Sequence, residues 1–329
     1  MLQFSKYQGL GNDFVIFEGR HNQLPSEIIN PEPAWIRRIC DRRFGVGGDG
    51  IILALPPQTD GDLRMRIFNA DGTEAEMCGN GIRCLACYLA DTNRSIAGCR
   101  WVIESLAGMI QSELMPDGRF RVDMGAPLLQ PNLIPTTLKF ENGLPRGVLK
   151  IGGLPVNVVS VGMGNPHAIV PVDDLDTVPF EEWGSVLEAH PVFPDKTNVH
   201  FLKVRARNRL EIRVWERGIG PTLACGTGAC ATLVAAVLLD LADEQAEVIL
   251  PGGSLQISWP DQSGPVLMTG PAQALFNGVL KLESVPGDET VALEQAQAFL
   301  NNTSLESMLK LASNSFEQRT RSRLKRGGS

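Results

Sequence analysis

The chain is poor in positive charge, in histidine, in aromatic side chains and in long apolar runs, and these shortages remove whole classes of function. Its 329 residues hold 30 Lys+Arg against 37 Asp+Glu, a formal net charge of −7. No global positive field is available to hold a phosphate backbone, and the dense basic run Arg319 to Arg326 sits in the C-terminal tail, so nucleic acid is not expected as the main partner. The longest apolar stretch, Ala229 to Leu239, falls far short of the roughly 20 residues that cross a bilayer. The first residues carry no basic segment followed by an apolar one, the pattern of a secretory leader. The expectation is a cytoplasmic protein without a membrane partner. Seven cysteines, an odd number without such a leader, read as free thiols in a reducing compartment.

Two further absences narrow the chemistry. No Gly-Lys-Ser/Thr and no full Gly-x-Gly-x-x-Gly opening a helix after a strand is present, which argues against a nucleotide. Cys84 and Cys87 form a Cys-x-x-Cys without a second such pair, and on a helix with Ile82, Leu85 and Leu89 they read as core and near-core positions, so no metal is expected. Cys40, Cys87, Cys99 and Cys230 read as small buried hydrophobes.

What is there is an ordinary globular composition, 43% hydrophobic and 20% charged, in a chain long enough for two domains and a cleft. Alternating strands are expected at "LRMRIF" (63–68), "RFRVDM" (119–124), "RLEIRVW" (209–215) and "SLQISW" (254–259). Helices are expected around Pro33 to Asp41, Gly81 to Ala90, Phe180 to His190 and Gly228 to Leu241, the last almost wholly apolar and so buried on every side. Between Gly125 and Gly147 lie four prolines with little periodicity, the composition of a segment crossing between domains. From Glu283 onward strand character stops. A helical or disordered tail, 283–329, is expected, with a capping box at Thr303 and Glu306.

The sequence also repeats itself. "GLGNDF" (9–14) precedes "AEMCGNGIRC" (75–84) much as "GMGNPH" (162–167) precedes "TLACGTGACA" (222–231): 66 residues separate Asn12 from Cys78 and 60 separate Asn165 from Cys225. Each half holds a Gly-x-Gly-Asn turn, then strands, then a Cys-Gly-x-Gly turn opening a helix. Two related domains facing across a cleft is the simplest inference, with the boundary after residue 126.

At a helix N-terminus the free amides point outward, glycine lets a ligand approach them, and their partial charge suits a carboxylate. The same charge favours thiolate over thiol. A helix end is worth at most about 2 kcal/mol, so a thiol near 8.5 falls by about a unit and a half at best, and burial works against it. Two thiols held as one thiolate and one thiol on opposite faces of a carbon atom are what stereochemical inversion by proton exchange requires. Cys78 and Cys225 are therefore the candidate acid/base pair: two turns, because a carbon has two faces.

At these residues the sequence resembles the diaminopimelate epimerases. The matching segments are "KYQGLGNDFVIF", "RRFGVGGDGIIL", "RIFNADGTEAEMCGNGIRC", "VGMGNPHAIV", "TNVHF", "VWERGIGPTLACGTGACA" and "LPGGSLQISW", and with "LFNGVLKL" they carry the likeness from residue 6 to about 282. The resemblance implies an α+β fold of two pseudo-symmetric domains, each a curved, barrel-like mixed sheet around a central helix, with the active site in the cleft between them. It implies domains at 1–126 and 127–271, the first completed by a C-terminal strand at 272–282. The implied activity is cofactor-independent epimerisation of LL- to meso-diaminopimelate, a step toward lysine and peptidoglycan. A homodimer is an open expectation, and no lysine beside the turns suggests pyridoxal phosphate.

Carried over position by position, the resemblance makes Cys78 and Cys225 the acid/base pair. It assigns substrate contacts to Asn12, Asn69, Gly79, Asn80, Asn165, Asn198, Glu216, Arg217, Gly226 and Thr227, and a role in tuning the thiols to His167 and Glu216. Asparagine offers donors and an acceptor without a titrating charge, and Arg217 suits a carboxylate as Glu216 suits an ammonium group. Read alone, the asparagines are equally turn residues and Glu216–Arg217 a solvated rim pair. His21, His190 and His200 read as structural or exposed. This chain has Gly50 where some members carry a substrate-contacting glutamine, and its tail runs past the usual family end. Proline or hydroxyproline racemisation on the same scaffold, and a non-catalytic amino-acid-binding thiol switch, stay open as alternatives.

Overall fold

The expected repeat is the organising feature of the sheet. The computed structural model describes residues 1–281, so the tail at 283–329, with Thr303 and Glu306, lies outside the described residues. The first half runs β1 (Leu2–Gly9), β2 (Asn12–Glu18), α1 (Ser26–Ile29), α2 (Pro33–Cys40), β3 (Gly50–Leu55), β4 (Leu63–Asn69), β5 (Glu74–Ala75), α3 (Gly79–Asn93), β6 (Arg100–Ser105), β7 (Gly108–Leu114) and β8 (Phe120–Asp123). The second runs β9 (Lys139–Glu141), β10 (Leu144–Ile151), β11 (Leu154–Gly162), β12 (Pro166–Pro171), α4 (Phe180–Glu188), β13 (Asn198–Ala206), β14 (Arg209–Glu216), β15 (Gly220–Thr222), α5 (Gly226–Leu238), β16 (Gln245–Leu250), β17 (Gly253–Ser258) and β18 (Leu267–Gly270), followed by β19 (Gln273–Leu280).

Strands of the first half pair in the order β1–β2–β3–β4–β6–β7–β8, with β2–β3 and β4–β6 parallel and the rest antiparallel. Strands β11 to β18 repeat that order and those senses, with β12–β13 and β14–β16 parallel. Strands β5 and β15 fold back on β4 and β14 just before the two long helices, and β8 meets β18 antiparallel where the halves join. Parallel neighbours need a crossover, and α2, α3, α4 and α5 supply one each. Contact density gathers Phe4–Gly278 into a large unit that contains every candidate site residue, and Met1–Gln3 with the segment from Val279 into a small one.

The four expected helices and four alternating strands are all present, within a few residues of their expected ends. Alternation is visible where one face is exposed, as in the buried/half-buried pattern of β4 and β14. Strand β3, "GIILAL", is buried at every position and reads as a continuous apolar run. Helix α5 is buried from residue 228 to 236, as its almost wholly apolar sequence requires, and fully buried Leu233 and Val234 contribute about 1.5–3 kcal/mol each. Helix α3 is as deeply buried, from residue 79 to 90, although it carries Asn80 and Arg83. The 125–147 stretch holds more structure than its prolines suggest: β9 and β10 form a tight hairpin across Asn142 and Gly143, both at positive φ. The Asn-Gly pair was the sequence signal for that turn.

Helix α4 lies against Trp215 of β14, and Gly184 is what lets it approach. A Cβ at Gly184 would come within 2.6 Å of the indole, whose Nε1–H is held by Glu188 Oε2 at 2.8 Å. For Gly184→Ala the helix gains about 1 kcal/mol in propensity and loses about 1–3 kcal/mol to overpacking. Net destabilisation is expected in a denaturant melt; a midpoint that rises would show that the indole gives way freely.

Candidate active site

Both cysteines are the N-caps of their helices, in nearly the same backbone conformation: φ −141, ψ 116 at Cys78 and φ −128, ψ 107 at Cys225. Extended dihedrals at the cap turn the sulfur back over the first turn, where Cys78 Sγ accepts from the Gly81 amide at 3.5 Å and Cys225 Sγ from the Gly228 amide at 3.4 Å. Cys225 Sγ also lies 3.5 Å from the Thr227 hydroxyl. Glycine follows each cysteine because the two helix ends meet: a Cβ on Gly226 would lie 3.7 Å from Gly79 Cα, and one on either glycine would press on Met268. Asn80 extends the contact, its Nδ2 reaching the Ala224 carbonyl at 3.5 Å. The first Gly-x-Gly-Asn turn joins in, since a Cβ on Gly11 would be 2.9 Å from Leu223.

Burial outweighs the helix ends in setting the thiols. Cys225 is 6% exposed and Cys78 half-buried, and desolvation holds both above the ordinary thiol range, Cys225 well above it. The capping amides pull both down and the Glu216 charge pushes both up; Arg83 pulls down Cys78, and the Thr227 hydroxyl pulls down Cys225. The lowering expected from the helix ends alone is thus reversed, because burial can move a group by more than a helix end supplies. Glu216 is itself raised by burial and by the nearby Asp49 charge, against the pull of the Thr222 hydroxyl that donates to Oε1 at 2.6 Å.

The asparagines are placed by different means. Asn12 opens β2, and its Nδ2 donates to Asp49 Oδ2 at 3.3 Å inside a network of Lys6, Asp13, Arg42 and Asp49. Among the described residues its buried Oδ1 has no hydrogen-bond partner. Asn165 Oδ1 lies 2.8 Å from His167 Nε2, and Asn69 is exposed, donating to the Thr73 hydroxyl at 3.0 Å. Asn198 is buried and largely engaged: Nδ2 donates to the Pro166 carbonyl at 2.9 Å and Oδ1 accepts from the Arg217 amide at 3.0 Å. It therefore positions Arg217, an exposed residue whose Nη1 donates to the Asp195 carbonyl at 2.8 Å. Gly50 faces Asn69 across β3–β4, where a Cβ would sit 2.3 Å from the Phe68 carbonyl oxygen, so this backbone leaves no room for a longer residue.

His200 is the residue that sequence reasoning left out. It is fully buried, its Nε2 2.9 Å from His167 Nδ1. Burial drives both imidazoles down, His200 to about 3, so both are neutral. With Asn165 Oδ1 accepting from His167 Nε2–H, His167 Nδ1 accepts from His200 Nε2–H and His200 Nδ1 keeps a bare, unpartnered lone pair. His167, His200 and Cys225 offer donor atoms within 4.8 Å of one another, but the facing imidazole nitrogens share a proton. The two histidines form a hydrogen-bonded pair, while Cys225 Sγ is held by the Gly228 amide and lies beside the Thr227 hydroxyl. The missed signal was in "TNVHF": His200 lies beside the His167 strand in the parallel β12–β13 ladder.

The diaminopimelate epimerase family model matches residues 4–129 and 159–275. The chain belongs to the diaminopimelate epimerase family. The diaminopimelate epimerase of Prochlorococcus marinus strain MIT 9313 is 64% identical over 281 residues, covering 85% of this chain and 93% of that relative. Among solved structures, a predicted epimerase of Pseudomonas aeruginosa matches with a TM-score of 0.62 at 18% identity, covering 86% of this chain and all of that one. A hydroxyproline epimerase of Agrobacterium vitis matches at 0.60 and 14%, covering 84% and 91%. At those identities the two structures speak for the fold, the two-domain α+β architecture of this family member. Among the described residues, no helix is long and apolar enough to cross a membrane.

Glu216 provides a direct test of the electrostatics. In this epimerase family member, Glu216→Gln keeps an acceptor for Thr222 and removes a negative charge that opposes both thiolates. The pH midpoint of alkylation at Cys78 and Cys225 is expected to fall by about one unit. Peptide-mapped iodoacetamide kinetics reads it, and midpoints that stay or rise would contradict the assignment.

Proposed function

We propose that this chain interconverts LL- and meso-2,6-diaminopimelate by a cofactor-independent, two-base reaction, an isomerase step toward lysine and peptidoglycan precursors. The observation that carries this reading is the pair of capping thiols, Cys78 and Cys225, on two helix N-termini so close that a Cβ on Gly226 would contact Gly79, in a chain of this family. One thiolate takes the α-proton from one face while the opposing thiol gives its proton to the other. The carbon inverts, and the two sulfurs exchange protonation states. Charge that builds on the α-carboxylate is held by the amides of Gly79, Asn80, Gly226 and Thr227. Glu216 and Asn12 Oδ1 accept from ammonium groups. Asn69, Asn165 and Arg217 hold the remaining polar groups, with Asn198 fixing the Arg217 backbone. His167 acts as a neutral spacer that orients Asn165.

The same reading includes domains at 1–126 with 272–282 and at 127–271, closing on the substrate, a cytoplasmic location and a homodimer. The antiparallel β8–β18 junction and the repeated pairing order support that division. A small imino acid such as proline lacks the distal ammonium and carboxylate that Asn69 and Arg217 suit.

Proton NMR of LL-diaminopimelate in D₂O, with reduced protein and nothing added, follows the α-proton and the meso isomer directly. Exchange with meso product is expected, and Cys78→Ala or Cys225→Ala should each slow it by more than about 10²-fold, the lower end of what a general acid or base contributes. Near-normal formation of the meso isomer in either folded variant would overturn the two-base assignment.

A further inference from the structure

The two cysteine turns are alike in backbone and unlike in what stands behind them. Counting from the caps, Arg83 follows Cys78 by the interval at which Cys230 follows Cys225, so one half carries a guanidinium where the other carries a thiol. Arg83 is fully buried, and among the described residues no carboxylate pairs with it. Its contacts are neutral: Nη2 donates to Asn80 Oδ1 at 2.6 Å, Nη1 to the Gly79 carbonyl at 3.3 Å and toward Met268 Sδ at 3.4 Å, and Nε to the Pro271 carbonyl at 3.3 Å. The space is built for it, since a Cβ at Gly9 would lie 3.3 Å from Nη2 and one at Gly270 3.2 Å from Nε. A guanidinium cannot discharge itself by losing a proton, so a buried one without a counterion calls for a negative charge nearby.

We propose that Arg83 is a positioning residue that sets a fixed positive charge behind the Cys78 turn, so that Cys78 ionises before Cys225. This rests on the reading of the two cysteines as the acid/base pair. Two of the Arg83 contacts, Gly79 and Asn80, are the residues that follow Cys78, and Asn80 continues to Ala224 beside the other cysteine. One side chain therefore orders the first turn and braces it on the second. The groups that feel its charge are Cys78, Cys84 and Cys230. Cys84 and Cys230 are fully buried and held far up by desolvation, Cys230 to about 12, and the Asp13 charge works further against Cys84. Cys78 is the half-buried member, facing Glu216 on β14 and Cys225 on α5. Both of those oppose a second negative charge. Removing the guanidinium charge therefore disfavours the Cys78 thiolate, and the sign is a rise in its ionisation midpoint.

The test needs neither substrate nor turnover, so it stands apart from the proposed reaction. Peptide-mapped iodoacetamide alkylation of the full chain is followed against pH for the wild type, Arg83→Met, Arg83→Gln and Arg83→Lys. Midpoints are compared rather than rates, because the two thiols differ in exposure. In the wild type Cys78 is expected to have the lower midpoint. Arg83→Met should raise it by about one unit, about tenfold less thiolate at neutral pH, with Cys225 moved less and Arg83→Lys restoring most of the effect. Circular dichroism and thermal melting confirm folding, and Arg83→Gln is read in place of Arg83→Met if the latter does not fold. A Cys225 midpoint below that of Cys78, or a Cys78 midpoint unchanged in a folded neutral variant, overturns the proposal. If both neutral variants unfold, a Cys78 midpoint in folded Arg83→Lys that matches a free thiol overturns it, and one that matches the wild type supports it.

Discussion

At the centre of the large unit the first residues of two helices come within van der Waals reach, so that two positive helix ends share one small volume. Like ends repel, and the arrangement is stable only if that volume is furnished with acceptors or anions. Here the caps are sulfur atoms, Gly79 and Gly226 leave the approach open, and Met268 fills the space behind. Much of the sheet is scaffolding for this contact. The repeated pairing order delivers each helix from a short hairpin, β4–β5 or β14–β15, and the β8–β18 seam brings the two copies together.

The symmetry is one of backbone, and the charges break it. Glu216 lies in the second half and opposes thiolate at both sulfurs, whereas Arg83 lies in the first and acts on Cys78. The Asn165–His167–His200 chain belongs to the second half, and the Lys6–Asp13–Arg42–Asp49 network to the first. Each holds an asparagine in place, the former through neutral imidazoles and the latter through paired ions, of which Asp49 still raises Glu216. Burial supplies the background against which these few charges act: it raises both thiols, lowers both histidines and leaves small differences between neighbours to decide which group ionises.

Much of this was legible from residue patterns. Cys-Gly-x-Gly before a helix is a local motif, and local motifs keep their geometry: both cysteines are caps, as their glycine neighbours required. The almost wholly apolar α5 could only be a core helix, and strands with one open face alternate visibly. Strand β3 and the β9–β10 hairpin were harder, the first because both its faces are buried and the second because prolines masked an Asn-Gly turn. His200 was missed because nothing in its own stretch of sequence announces a partner on another strand. Arg83 stood in plain view among Ile82, Cys84 and Leu85, a cation on a helix otherwise fit for the core.

By itself the sequence determined the duplicated turn, the two capping sulfurs, the family and the helices that present the site, since all of these depend on neighbours a few residues apart or on whole motifs. Tertiary structure alone decided the electrostatics. Whether a thiol is raised or lowered depends on how much water the fold removes and on charges brought from distant segments, such as Glu216 beside Cys78. Those distances are set by packing between elements far apart in the chain, and no local pattern encodes them.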